Sequence, residues 1–242
     1  MKSYLSILFI ISVQFVCAQD FKPNYDESKI PDYTLPQLLR AKRGMEITTA
    51  DQWQEARRQE VLARFEAYMY GKVPEGEVDV DTKVIKELDD LDGKATMKEV
   101  RITFSGKDKS LSMDLLMYLP KSNKKAPVFL GLNFYGNHTI IDDPNISIPT
   151  SWSRNSESFG ITNNTPSEKS RGMRSNRWAI EKIIDRGYGL ATIYYGDIDP
   201  DKNDFSDGIH PLFYEDGQTH PAKNEWGSVA AWAWGLSRAM DY

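Results

Sequence analysis

The stretch "VFLGLNFYGNHTIIDDP", Val128 to Pro144, sets an apolar run directly against a polar cluster. Val128, Phe129, Leu130 and Leu132 show no polar alternation, and Asn133, Tyr135, Gly136, Asn137 and His138 follow at once. A short apolar run without alternation predicts a strand buried on both faces, as parallel strands between helix layers are. The polar cluster then falls at the strand's carboxyl end, where open α/β sheets hold their ligands. Asn133, Phe134, Tyr135, Gly136 and His138 are therefore the expected site loop.

The segments before this stretch read differently. Val100, Ile102 and Phe104 alternate with polar residues, Leu111, Met113, Leu115, Met117 and Leu119 alternate without a miss, and Val78, Val80, Val84 and Leu88 do so roughly. These are half-exposed strands joined by turns at Asp92-Gly93 and around Gly106. After the stretch comes a second run without alternation, "GLATIYY" (Gly189 to Tyr195). A helix around Trp178, Ile180, Ile183 and Ile184 precedes it and ends at Gly187. A last helix is expected from Glu225 to Met240, with Trp226, Val229, Ala233, Leu236 and Met240 on one face. One-sided strands giving way to two-sided strands and helices predict a mixed sheet, antiparallel then parallel, with helices on both faces. The α/β-hydrolase fold has that layout.

The amino terminus, "MKSYLSILFIISVQFVCAQD", joins Lys2 to an apolar run from Tyr4 to Val16, with Cys17 and Ala18 behind it. That is the pattern of a signal peptide cleaved after Ala18, and the run is too short to span a bilayer. The only cysteine, Cys17, leaves with it, and Phe15 and Val16 are too bulky to precede a lipidated cysteine. A secreted or periplasmic protein without a membrane span is expected. Residues 19–75 read as an extension interrupted by Pro23, Pro31 and Pro36, with a short helix at Leu35 to Arg40 and a strong helix after it. Thr49 and Gln52 form a capping-box pattern, Trp53, Ala56, Val61, Phe65 and Met69 recur at helical spacing, and Gly71 and Pro74 stop the run. Residues 76–242 form the hydrolase-like domain. The net charge of −5 carries no basic run, which excludes nucleic acid and anionic membrane as partners.

A hydrolase of this layout needs its nucleophile on a sharp strand-to-helix turn, G-x-S-x-G. The nearest match, "GLSRA" (Gly235 to Ala239), lies inside the last helical pattern, and Ser228 fails for the same reason. His138 precedes any such nucleophile, so it reads as a brace of the site loop or a donor to a ligand. His210 and His220 lie in a polar stretch that reads as solvated loop or local hydrogen bonding, with no metal spacing. Asp197, Asp199 and Asp201 imitate the opening of a calcium loop. Lys202 then stands where the turn needs glycine, and Gly208 where it needs glutamate, so no metal is expected. An Asp-rich turn bonding backbone amides is the reading instead. The long segment Asp142 to Asn176 carries Trp152, Arg154, Arg171 and Arg174, and loops of such length in a compact domain are commonly functional.

Four separated motifs carry a resemblance: "RRQEVLARFEAYMYGKVP" (57–74), "GLNFYGNHT" (131–139), "RWAIEKIIDRGYGLATIYYGDIDPD" (177–201) and "WGSVAAWAWGLSRAMDY" (226–242). Together they resemble the bacterial glucuronoyl esterases, carbohydrate esterase family fifteen. The resemblance implies an α/β-hydrolase with a Ser–His–acid triad and no metal or organic cofactor. It implies a substrate in the plant cell wall, the ester between 4-O-methyl-glucuronic acid of xylan and an alcohol of lignin. Acetyl xylan ester cleavage on the same fold, or glycan binding without catalysis, are the alternatives. In the family the nucleophile turn follows the motif that ends here in Asp241-Tyr242, so no catalytic residue is expected within these 242 residues. The chain reads as an amino-terminal portion, and its own contribution is the oxyanion-side loop, Asn133 to His138.

Overall fold

The computed structural model describes residues 23–122 and 125–242. The expected signal peptide over residues 1–18 lies outside them. Five strands form one sheet: β1 (Asp79–Asp90), β2 (Ala95–Gly106), β3 (Lys109–Pro120), β4 (Val128–Asn133) and β5 (Gly189–Tyr194). Their order is β1-β2-β3-β5-β4. The first three pair antiparallel, β3 pairs antiparallel with β5, and β4 runs parallel to β5 from Val128 opposite Gly189 to Asn133 opposite Tyr194. Tight turns at Leu91-Asp92-Gly93 and Lys107-Asp108 join the antiparallel strands, all five residues at positive φ.

Alternation along β3 divides the core between the two faces of the sheet. Met113 and Leu115 meet Ala191 and Ile193 of β5 and the helix α4 (Ser228–Asp241), whose Ala231 and Ala239 are buried with Trp226. Leu116 and Tyr118 meet Leu190 and the helix α3 (Ile180–Ile184) on the opposite face, with Ile140 and Ile146 of the long connection. Every residue of β5 is buried, as its unalternating sequence predicts.

β4 departs from expectation. It has the same two-sided apolar sequence but lies at the sheet's margin, where Val128 and Phe129 are 45% and 56% exposed. An apolar run reports that a strand suits burial, and not which neighbour buries it. Among the described residues only β5 pairs with it.

The amino-terminal helix is another departure. Thr49 and Gln52 do form the capping box, opening α1 (Ala50–Gln52), which continues through the π-wound Trp53–Arg57 into α2 (Arg58–Phe65) and the π-wound Glu66–Tyr70. Its apolar stripe does not reach the core, and Phe65 and Met69 stay exposed. The run's one buried residue, Arg57, instead donates to the Gln37 and Leu38 carbonyls. Those bonds hold the Leu35 to Arg40 stretch in a turn, so no helix forms there. Gly71 then ends the run at φ 78°, with its backbone against Glu225 so closely that any Cβ would overlap the Glu225 carbonyl. The α4 helix starts at Ser228, three residues later than its apolar pattern suggested.

Candidate active site

The polar cluster after β4 is, in its first role, a brace. The Asn133 amide donates to Asn137 Oδ1 at 2.6 Å and to Thr192 Oγ1 of β5 at 3.1 Å. Its Oδ1 accepts from the Gly136 amide at 2.8 Å, which closes the turn, and Asn137 donates to the Asp114 carbonyl of β3 at 2.7 Å. Two side chains, Asn133 and Asn137, thus tie the loop to itself and to two strands. Burying an amide without such partners would cost several kcal/mol, on the order of 2–7. This explains why so polar a group follows so apolar a strand.

His138 is fully buried and shares a 2.7 Å hydrogen bond through Nε2 with Ser170 Oγ. Burial, with Arg171 close by, pulls its imidazole down to about 4, so it is neutral at neutral pH. It therefore fastens the long connection to the site loop. Arg171 ties the two ends of the long connection together nearby, donating to the carbonyls of Asp143 and Ile146 while paired with Glu168.

Phe134 and Tyr135 are the residues of the loop that face outward, Phe134 at 51% exposure. Their rings stand within a chain of ring contacts: Phe159 to Tyr135 at 4.8 Å, Tyr135 to Phe134 at 5.3 Å, Phe134 to Tyr195 at 4.8 Å and Tyr195 to Trp232 at 5.1 Å. The strip runs from the half-exposed rings of the loop inward to Tyr195, which is buried. Asn133, Phe134 and Tyr135 also line a cavity of about 230 Å³, while Gly136 and His138 stay behind it. The loop lies beside β5, at the carboxyl end of both parallel strands.

A second feature, which the sequence did not announce, pins the start of the long connection to the sheet. Glu99 of β2 accepts from the Ser147 amide at 3.1 Å and the Ser147 hydroxyl at 2.7 Å. Asp197, beyond β5, accepts from the Ser151 hydroxyl at 2.6 Å and the Asp114 amide at 3.4 Å. Burial raises both carboxyls, and that of Asp197 is pushed up to about 7 from 3.8, with Asp114 adding to the effect and Ser151 and Arg101 opposing it. A carboxyl raised by folding binds more protons folded than unfolded between those two values, so stability falls as pH rises through that window. Asp197→Asn is expected to flatten the pH dependence of the melting temperature between about pH 4 and 7. Melting curves at half-unit pH steps check it, and an unchanged slope counts against this role.

The remaining candidates are dispersed. Asp197, Asp199 and Asp201 find Ser151, His210 and Arg154 as partners, and no cluster able to hold a metal occurs among the described residues. These are side-chain partners, and of the expected aspartates on backbone amides only Asp197, with the Asp114 amide, and Asp204, with the Ser206 amide, make such bonds. His210 is not solvated: it is fully buried, with Nδ1 3.2 Å from Asp199 Oδ1 and Nε2 3.2 Å from the Trp226 carbonyl. Ser237 sits exposed within α4, with no strand leading into it.

No protein-family model matches the chain. Its sequence is 52% identical over 228 residues to a protein named a carbohydrate esterase, from an unknown prokaryotic organism, covering 94% of this chain and 53% of that one. Among solved structures, a promiscuous esterase of carbohydrate esterase family 15 from a marine bacterial metagenome aligns with TM-score 0.79 at 52% identity, over 90% of this chain and 55% of that one. A glucuronoyl esterase from Solibacter usitatus aligns with TM-score 0.80 at 47% identity, over 89% and 55%. A glucuronoyl esterase from Teredinibacter turnerae aligns with TM-score 0.67 at 26% identity, over 93% and 50%. The chain thus spans about half the length of the relatives it matches.

Proposed function

We propose, on the premise that the chain is related to the esterases of carbohydrate esterase family 15 and shares their α/β-hydrolase fold, that the protein containing it hydrolyses glucuronate esters of plant cell-wall xylan. The observation that carries this reading is the likeness to the Solibacter glucuronoyl esterase, 47% identical over 89% of the chain. The bond cleaved joins the carboxyl of 4-O-methyl-glucuronic acid to a lignin alcohol. A serine attacks the ester carbonyl, a histidine takes its proton, and water releases the acyl-enzyme. On this reading Ser237, exposed within α4, is not the nucleophile. This chain supplies the scaffold and the loop on the oxyanion side. Asn133 holds the turn rigid, and Phe134 and Tyr135 form an apolar wall beside the sugar. A signal peptide over residues 1–18 delivers the enzyme to its extracellular substrate.

The test is hydrolysis of benzyl glucuronate by the protein that contains this chain, with acetylated xylan as the competing substrate. Release of benzyl alcohol at a kcat/KM well above acetate release is expected. Acetate release with no benzyl alcohol would replace this reading with an acetyl xylan esterase.

A further inference from the structure

We infer that Arg174 and Arg177 form a binding site for the free carboxylate of a second uronate, adjoining the site loop. The inference deepens the proposed esterase reading and rests on it for the identity of the polymer.

The cavity of about 230 Å³ is lined by Phe134, Tyr135, Thr139, Arg174, Arg177 and Trp178. That volume is below the ~300–1,000 Å³ of drug-sized pockets and suits one sugar-sized group. The Arg174 guanidinium lies over two rings, 5.6 Å from the centroid of Tyr135 and 5.5 Å from that of Phe159. Stacking occupies the face of a guanidinium and leaves its N–H edge free to grip a carboxylate by two parallel bonds. Its backbone is fixed as well, through a 2.8 Å bond from the Arg174 amide to the Thr139 carbonyl. The group is thus held ready before any ligand arrives.

Neither Arg174 nor Arg177 has an acidic partner among the described residues, whereas the other arginines of this end, Arg101, Arg154 and Arg171, each hold one. Two unneutralised cations in a cavity are conspicuous in a chain of net charge −5. A guanidinium only donates hydrogen bonds, so its ligand must bring acceptors, and an anionic acceptor makes the stronger bond. The esterified uronate of the proposed reaction has lost its charge. The cations therefore match a neighbouring, unesterified uronate. A second hollow of about 430 Å³ shares Arg177 and Trp178, which carries the groove onward past the tryptophan.

The experiment follows the Trp178 indole N–H by nitrogen-15 NMR in the protein that contains this chain, titrated with sodium glucuronate, glucose or sodium acetate. Glucuronate is expected to shift the signal with an affinity at least about tenfold above that of glucose, the scale of one charge-assisted hydrogen bond, and above that of acetate through contact of its sugar ring with the aromatic lining. The double variant Arg174→Gln/Arg177→Gln should bring glucuronate down to the glucose level with an unchanged melting temperature. Should that variant melt early, Arg177→Gln alone, on an exposed side chain, should still weaken glucuronate severalfold. Equal binding of glucose and glucuronate, equal binding of acetate, or glucuronate binding untouched by both variants overturns the inference. The readout does not involve ester cleavage. Binding without hydrolysis would contradict the esterase reading and leave this site standing.

Discussion

Gly136→Val is expected to cost about 3 kcal/mol or more, combining backbone strain of about 1–3 kcal/mol with overpacking of about 1–3 kcal/mol. Gly136 sits at φ 107°, where side chains are rarely tolerated. A Cβ there would lie 2.8 Å from the Pro149 ring and 2.9 Å from the His138 imidazole. The imidazole cannot withdraw freely, because His138 is held by Ser170 and packed on every side. For a domain of this size the cost corresponds to a fall of roughly 6–12 °C in Tm. Turnover should fall too, even well below that Tm, because the turn that carries Phe134 and Tyr135 loses its shape. Thermal melting and kcat measured on the same preparation check both parts. Unchanged kinetics with a lowered Tm would leave the loop a purely structural turn.

His210→Ala is expected to cost about 3–5 kcal/mol, the scale seen when one partner of a buried charged or strongly polar pair is removed. Asp199 and His210 are both fully buried, and Asp199 Oδ2 already lacks a partner, so truncating the imidazole strands the whole carboxylate. The ring also packs 4.9 Å from Phe205 and 5.1 Å from Trp226, and its loss leaves a cavity between them. His220→Ala is the control, since His220 is exposed and its side chain bonds only to Thr219 next to it. Its effect should stay within about 0.5 kcal/mol. Chemical denaturation of the two variants compares them, and similar midpoints would show that the buried pair does not hold the fold.

The contrast between these histidines marks where the sequence was legible. Local rules were readable: Thr49 and Gln52 announced a cap, Leu111 to Leu119 announced a strand by alternation, and "GLATIYY" announced a strand buried on both faces. Each depends on neighbours a few residues away. That β4 finds a single partner strand among the described residues depends on which strands pair, and its composition is the same either way. The sheet anchors were illegible for a related reason. Glu99 meets Ser147 across 48 residues and Asp197 meets Ser151 across 46, and no spacing rule links such pairs. His210 read as solvated or locally hydrogen-bonded because its stretch is polar, but the residues beside it, Ile209, Pro211 and Leu212, are buried and its partners, Asp199 and the Trp226 carbonyl, lie 11 and 16 residues away. The place of the loop after β4 was half legible. The switch from apolar to polar residues located it at the strand's carboxyl end, but could not separate bracing residues (Asn133 and His138) from the outward-facing aromatics, Phe134 and Tyr135.

In the proposed function these residues provide the scaffold and one wall of an ester-cleaving site whose nucleophile is a residue other than Ser237. The most direct test is the hydrolysis of benzyl glucuronate by the protein that contains this chain, measured beside its Ser237→Ala variant. Ser237 is exposed in the middle of α4, far from the geometry of a nucleophile turn. The account predicts equal kcat/KM for the two proteins. Activity that vanishes in the variant would make "GLSRA" the nucleophile turn and contradict the account.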